Sequence, residues 1–153
     1  MRYFLDTNIF INVGKSLDFQ NHLNKTLSIF ELEHQLFYSA VVVGELMSLN
    51  LRSRKGTKRL NRMANMLDEC IKLPFDDAIL PLYADIDSFS LGKHPTRKLE
   101  GGARPMGKND IWIAATAAKY NAELITCDKD FLHLDGEFLK VHYIDANEVM
   151  FSK

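Results

Sequence analysis

The stretch RYFLDTN, residues 2–8, decides how the chain is read. Tyr3, Phe4 and Leu5 form a short apolar run suited to a buried strand, and Asp6, Thr7 and Asn8 follow at once with three small polar side chains. A carboxylate at the end of such a strand marks a strand-to-helix turn, where it caps the next helix or faces a ligand. ELITCDKDF, residues 123–131, repeats the pattern: a β-rich run gives way to Asp128.

Outward from these turns, Phe19, Leu23, Leu27 and Phe30 recur at helical spacing, as do Leu60, Met63, Ala64, Leu67, Cys70 and Ile71. Both stripes predict amphipathic helices packed on a sheet, with Cys70 in the core. Between them, LFYSAVVVGELMSLN (36–50) predicts a strand at Phe37 and Tyr38. Ser39 then caps a helix that carries Val42, Leu46 and Leu49 on one face. Asp76 and Asp77 signal a further helix with Ile79, Leu82, Tyr83, Ile86 and Phe89 at helical spacing, and Pro81 sets its start no earlier than about Asp77. SLGKHPTRKLEGGARPMG (90–107) reads as a long loop, functional or mobile at that length. KNDIWIAATAAKY (108–120) is a helix rich in small residues, capped by Asn109 or Asp110. DKDFLHLDG (128–136) is a helical turn stopped by Gly136, and LKVHYID (139–145) is a last strand.

Apolar strand runs alternating with helices predict an α/β fold with a central, mostly parallel sheet flanked by helices, as one domain over residues 1–153. Ligands of such sheets sit beyond the carboxyl ends of the strands. With 20 acidic and 19 basic residues the net charge is −1, so any nucleic-acid contact must come from local patches. Cys70 and Cys127 are too few for a disulfide scaffold. There is no export signal, and no apolar run reaches the ~18 residues of a membrane span, so a soluble, cytoplasmic protein is expected.

Four acids stand out. Asp6 and Asp128 project from strand ends, Asp110 lies in the first turn of a helix, and Glu45 lies in the first half of the helix after Ser39. Each Asp taken alone reads first as a helix cap, since a carboxylate accepts orphan N–H groups and favours the positive end of the helix dipole. Glu45 has no capping role in mid-helix, although solvation or an ion pair is an ordinary fate for it. Together the four are more informative, because clustered carboxylates repel and need a cation to stay ionised. An oxygen-only set favours Mg²⁺, with Mn²⁺ as the alternative. The five histidines are scattered and no Cys-x-x-Cys pair exists, which argues against zinc.

FLDTNIF, VVVGELM, RPMGKNDIWIAATAAKY and AELITCDKDF lie in an order and spacing that resembles the PIN-domain family, and within it the VapC-type toxins of toxin–antitoxin pairs. The resemblance spans nearly the whole chain and implies a three-layer α/β/α PIN-like domain. It also implies that Asp6, Glu45, Asp110 and Asp128 are the metal-binding and catalytic positions, with Thr7, Asn8, Asn109 and Thr126 as polar neighbours; Asp130 reads as an outer acid or, equally, as a solvated charge at a helix start. The implied activity is Mg²⁺-dependent endoribonuclease cleavage of tRNA, rRNA or mRNA. The implied partners are a VapB-like antitoxin, a second copy in a homodimer, and the toxin–antitoxin hetero-oligomer. The loop from Ser88 to Lys108 is longer than in the shortest members, which bears on target choice more than on chemistry.

For the RNA, LRSRKGTKRLNR (51–62) carries Arg52, Arg54, Lys55, Lys58, Arg59 and Arg62 without an acid, and the long loop adds Arg104 and Lys108. These form a candidate backbone-binding surface, or equally a solvated charged face. Other readings remain open at this point: a PIN ribonuclease of RNA processing without an antitoxin, and a non-catalytic PIN-like RNA-binding module. Phosphatases of the haloacid-dehalogenase type also place an Asp after a first strand, but they want a second Asp where this chain has Asn8.

Overall fold

The computed structural model describes residues 1–151. Five strands, β1 (Arg2–Leu5), β2 (Gln35–Ser39), β3 (Ile71–Leu73), β4 (Glu123–Thr126) and β5 (Val141–Tyr143), form a parallel sheet in the order β3-β2-β1-β4-β5. Among the described residues, seven helices surround it: α1 (Thr7–Lys15), α2 (Leu17–Leu27), α3 (Ala40–Arg52), α4 (Thr57–Asp68), α5 (Leu80–Ser90), α6 (Lys108–Lys119) and α7 (Ala146–Phe151). Short 3-10 turns occupy Asp77–Ile79 and Lys129–Leu134. No helix among the described residues is long and apolar enough to cross a membrane.

β1 lies at the centre because both its faces are covered. Phe4, fully buried, pairs in register with Phe37 on one side and Leu124 on the other. Parallel strands need a helical crossover between them, and those crossovers bury both faces of the sheet. α1 turns Ile9, Phe10 and Val13 into the core. It meets α4 closely at Gly14, where a Cβ would come within 2.7 Å of Met63 Cγ. Arg62 locks the same crossing, its Nε and Nη2 donating to Gly14 O at 3.0 and 2.5 Å.

Several local expectations are corrected. Ile71 leaves the α4 stripe and opens β3, since pairing with Phe37 of β2 outweighs the helical spacing. Ser39 occupies the cap position of α3 but its buried hydroxyl makes no hydrogen bond. The cap of α6 is Gly107, with Asn109 and Asp110 already inside the helix. α1 and α7 were not foreseen as separate helices. The long loop is pinned rather than loose: His94 Nε2 lies 3.2 Å from Asp85, Arg97 donates to Glu137 O at 2.7 Å, and Arg104 N donates to Ser90 O at 2.7 Å.

Candidate active site at the carboxyl edge of the sheet

β2 and β3 lie to one side of β1, and β4 and β5 to the other, so the chain reverses direction across the sheet between β1 and β4. That switch point is where open α/β sheets leave a crevice beyond the strand ends. Asp6 follows β1 and Asp128 lies two residues past β4, so the two acids flank the crevice.

Asp6 is only 3% exposed, and every contact its carboxylate makes is short. Oδ1 accepts the Thr7 N–H at 2.7 Å, which caps α1, and Oδ2 accepts Asn8 Nδ2 at 2.7 Å and the Thr126 hydroxyl at 2.6 Å. Thr126 Oγ1 in turn accepts the Asp128 N–H at 3.0 Å, and Asn8 Oδ1 accepts the Cys127 N–H at 2.9 Å. The DTN triplet therefore ties the end of β1 to the end of β4. Burial pushes the Asp6 carboxyl up to about 6; the bonds from Thr126 and Thr7 oppose that rise, and the charges of Glu45 and Asp128 add to it.

Glu45 reaches the same edge from α3, its Oε1 accepting the Thr7 hydroxyl at 2.9 Å. Asp128 caps the 3-10 turn that follows it, accepting the Asp130 N–H at 2.8 Å. Asp110 sits in the first turn of α6, with Oδ2 lying 3.4 Å from where a Cβ on Gly107 would be. Burial raises its carboxyl to about 7, reinforced by Asp6, Asp128, Glu45 and Asp130. Asp110 thus feels the charges of the other three acids, and Asp6 those of Glu45 and Asp128. The Asp130 side chain is exposed and acts on Asp110 through its charge.

The four are brought to one edge but not into contact. Among the described residues, the group whose ligand atoms lie within 4.8 Å of one another is Glu31, Glu33 and His34, on the turn before β2 at the opposite edge of the sheet. No Lys or Arg pairs with any of the four among the described residues. An oxygen-only donor set with uncompensated negative charge fits a hard divalent cation that keeps several of its own waters.

Of the basic candidates, Arg52 lies in a groove with Glu45 and Asn109. Arg54, Lys58, Arg104 and Lys108 are exposed, and Lys55 is partly buried beside Arg59 and Lys15. Arg62 leaves the expected surface because its guanidinium is spent on Gly14 O, and the Arg59 Nε is buried without a partner. Two residues of the site escaped the sequence reading. Gly107 was hidden in a Gly-rich loop. Ser48, which lines the groove, lies three residues from Glu45, a helical spacing that signals a shared face.

The PIN domain family model matches residues 3–137. The chain belongs to the PIN domain family. No curated protein matches this PIN domain by sequence. Among solved structures it is similar to a chain of VapBC-1 from nontypeable Haemophilus influenzae, with 26% identity, 94% of this chain and 98% of that one covered, and a TM-score of 0.70. It is similar to a chain of VapBC-5 from Mycobacterium tuberculosis, a member of the VapBC family of toxin-antitoxin systems, at 25% identity, 94% and 98% coverage, and a TM-score of 0.62. A chain of VapBC2 from Rickettsia felis, bound to a promoter DNA fragment, shares the fold at 21% identity, 95% and 100% coverage, and a TM-score of 0.70.

Proposed function

We propose that residues 1–153 form one nuclease domain, a metal-dependent endoribonuclease that is the toxin of a VapBC-type pair and is held in check by a small antitoxin. The observation that carries this reading is the set of four acids around the switch point, two with raised carboxyl pKa values and none with a cationic partner among the described residues. The similarity to chains of VapBC complexes supports the toxin assignment and the antitoxin partner.

Asp6, Glu45, Asp110 and Asp128 would hold Mg²⁺, or Mn²⁺ in its place. When bound, the ion neutralises charge on the phosphodiester and lowers the pKa of a water molecule. The chain's own contribution is orientation. Thr126 fixes Asp6 from β4, Asn8 fixes it from α1 and Thr7 fixes Glu45, so these two carboxylates are set before the substrate arrives. A carboxylate not committed to a backbone N–H is suited to take the proton of the attacking water, and Asp110 is one such group. Attack by water in line with the departing 3′-oxygen yields a 5′-phosphate and a 3′-hydroxyl.

The test is cleavage of a mixed tRNA and rRNA pool in Mg²⁺, Mn²⁺ or EDTA, with Asp6→Asn purified identically. Discrete cuts that need metal and vanish in Asp6→Asn are expected. Cuts that persist in that variant would point to a contaminant, and metal binding without any cleavage would return the chain to the non-catalytic class.

A further inference from the structure

We infer that the groove along α3 is the track of the RNA strand next to the scissile bond, with Arg52 as its phosphate contact and Gly44 as the floor that admits it; this rests on the ribonuclease reading above.

The groove holds about 510 Å³ and is bordered by Gly44, Glu45, Ser48 and Arg52 of α3 and by Asn109 of α6. One end is the catalytic edge, through Glu45. The other is Arg52, seven residues on, about 10 Å of helix rise away. That distance equals about three base steps at the ~3.4 Å rise of a stacked strand. Charge runs from acid to base along the groove, so a metal held by the acids and the guanidinium at the far end would each meet a phosphate of one strand. Arg52 is exposed, and no carboxylate pairs with it among the described residues. Its Nε rests on Ser48 O at 3.4 Å, which lays the side chain along the helix. Asn109 and Ser48 supply neutral donors between the two charges, and Val41 gives the wall an apolar part for a base or ribose face.

Gly44 is an independent observation. Glycine is the poorest helix former after proline, yet it occupies the middle of α3. Packing does not require it, because a Cβ there would meet nothing within 4 Å. The backbone does not require it either, because Gly44 is not among the positive-φ glycines. What its missing side chain leaves open is the groove itself, beside Glu45. A lining that mixes Val41 and Leu49 with Ser48 and Asn109, and ends in a guanidinium that no carboxylate pairs with among the described residues, offers a single strand both an apolar face for a base and a charge for a phosphate.

The experiment uses the full chain and a 5′-fluorescein-labelled single-stranded RNA, with binding followed by anisotropy in EDTA across a salt series and melting temperature followed in parallel. Gly44→Gln is expected to keep or raise the melting temperature, since Gln is the better helix former, while weakening RNA binding tenfold or more by filling the groove. Arg52→Gln is expected to weaken binding several-fold and to reduce the slope of log K against log salt by about 0.7, one phosphate contact on a single strand. Both variants binding within twofold of wild type with unchanged slopes would overturn the inference, and the small-residue floor would then suit a partner protein's helix. If wild type cleaves RNA while the variants bind normally, the groove assignment alone falls. If wild type neither binds nor cleaves RNA, the ribonuclease reading falls and the groove with it.

Discussion

Asp110→Asn should make the metal-free protein more stable while removing its response to metal. The carboxyl is raised from 3.8 to about 7 by burial and by Asp6, Asp128, Glu45 and Asp130. As pH rises above about 4, the unfolded chain gives up this proton first while the folded chain keeps it. Stability is therefore lost progressively between about pH 4 and pH 7, and the penalty is constant above that. A rise of about three pH units is nominally about 4 kcal/mol at 1.36 kcal/mol per unit. Asp110 is only partly buried, so solvent screening reduces this to about 2 kcal/mol. Asn removes the charge at nearly equal volume. For a chain of this size that gain corresponds to roughly 4–8 °C in Tm. The assay is calorimetry in EDTA at pH 8 and pH 4.5, then at pH 8 with saturating Mg²⁺. The variant should melt higher than wild type at pH 8, keep only about a quarter of that gain at pH 4.5, and lose most of the ligand-induced rise that wild type shows with Mg²⁺. A variant less stable than wild type at pH 8, or a gain equal at both pH values, would show that the Asp110 charge is not under strain.

Thr126→Val should cost about 1–3 kcal/mol, because it leaves Asp6 Oδ2 without its 2.6 Å donor and the Asp128 N–H without its acceptor, whereas Thr126→Ser should restore most of the loss in a urea titration. Arg62→Met keeps the aliphatic stem but abolishes donation to Gly14 O, and should cost about 1.5–3 kcal/mol while leaving the salt dependence of RNA binding unchanged; a shallower slope would return Arg62 to the RNA-binding surface. Burial pushes both the Cys70 and Cys127 thiols up to about 12, so each should react with a thiol reagent at pH 8 far more slowly in the native protein than in urea, and equal rates would contradict their burial.

The sequence made the centre of the fold legible because β1 and β4 each pair a short apolar run with an abrupt polar end. Phe4 and Leu124 are fully buried, and the Asp residues that follow can only be at the edge. Elements decided by distant contacts were not legible. β3 is three residues long, and Cys70 and Ile71 continue the apolar stripe of α4, so only the pairing of Ile71 with Phe37 reveals a strand. α1 begins within the polar triplet itself, where Thr7 and Asn8 serve the site rather than an apolar stripe. The basic run 52–62 looked uniform in sequence, yet its members divide according to what α4 packs against: Arg62 binds the α1 backbone while Arg54 and Lys58 face solvent.

The cap of α6 shows how one residue of register changes the chemistry available to a site. Were Asp110 the cap, its carboxylate would be spent on backbone N–H groups at the helix start, as those of Asp6 and Asp128 are. Gly107 takes that position instead and has no side chain to offer, so α6 begins without a side-chain cap and Asp110 falls at its third residue. There its carboxylate accepts no hydrogen bond among the described residues and faces the other acids, and its raised pKa reflects burial and repulsion with nothing to offset them. Capping and metal binding draw on the same carboxylate lone pairs. At Asp6 and Asp128 one carboxylate oxygen is already committed to a backbone N–H, which fixes those groups in place. At Asp110 the loop supplies a glycine, the helix gives up only about a few tenths of a kcal/mol of cap stability, and the carboxylate stays free of backbone N–H groups.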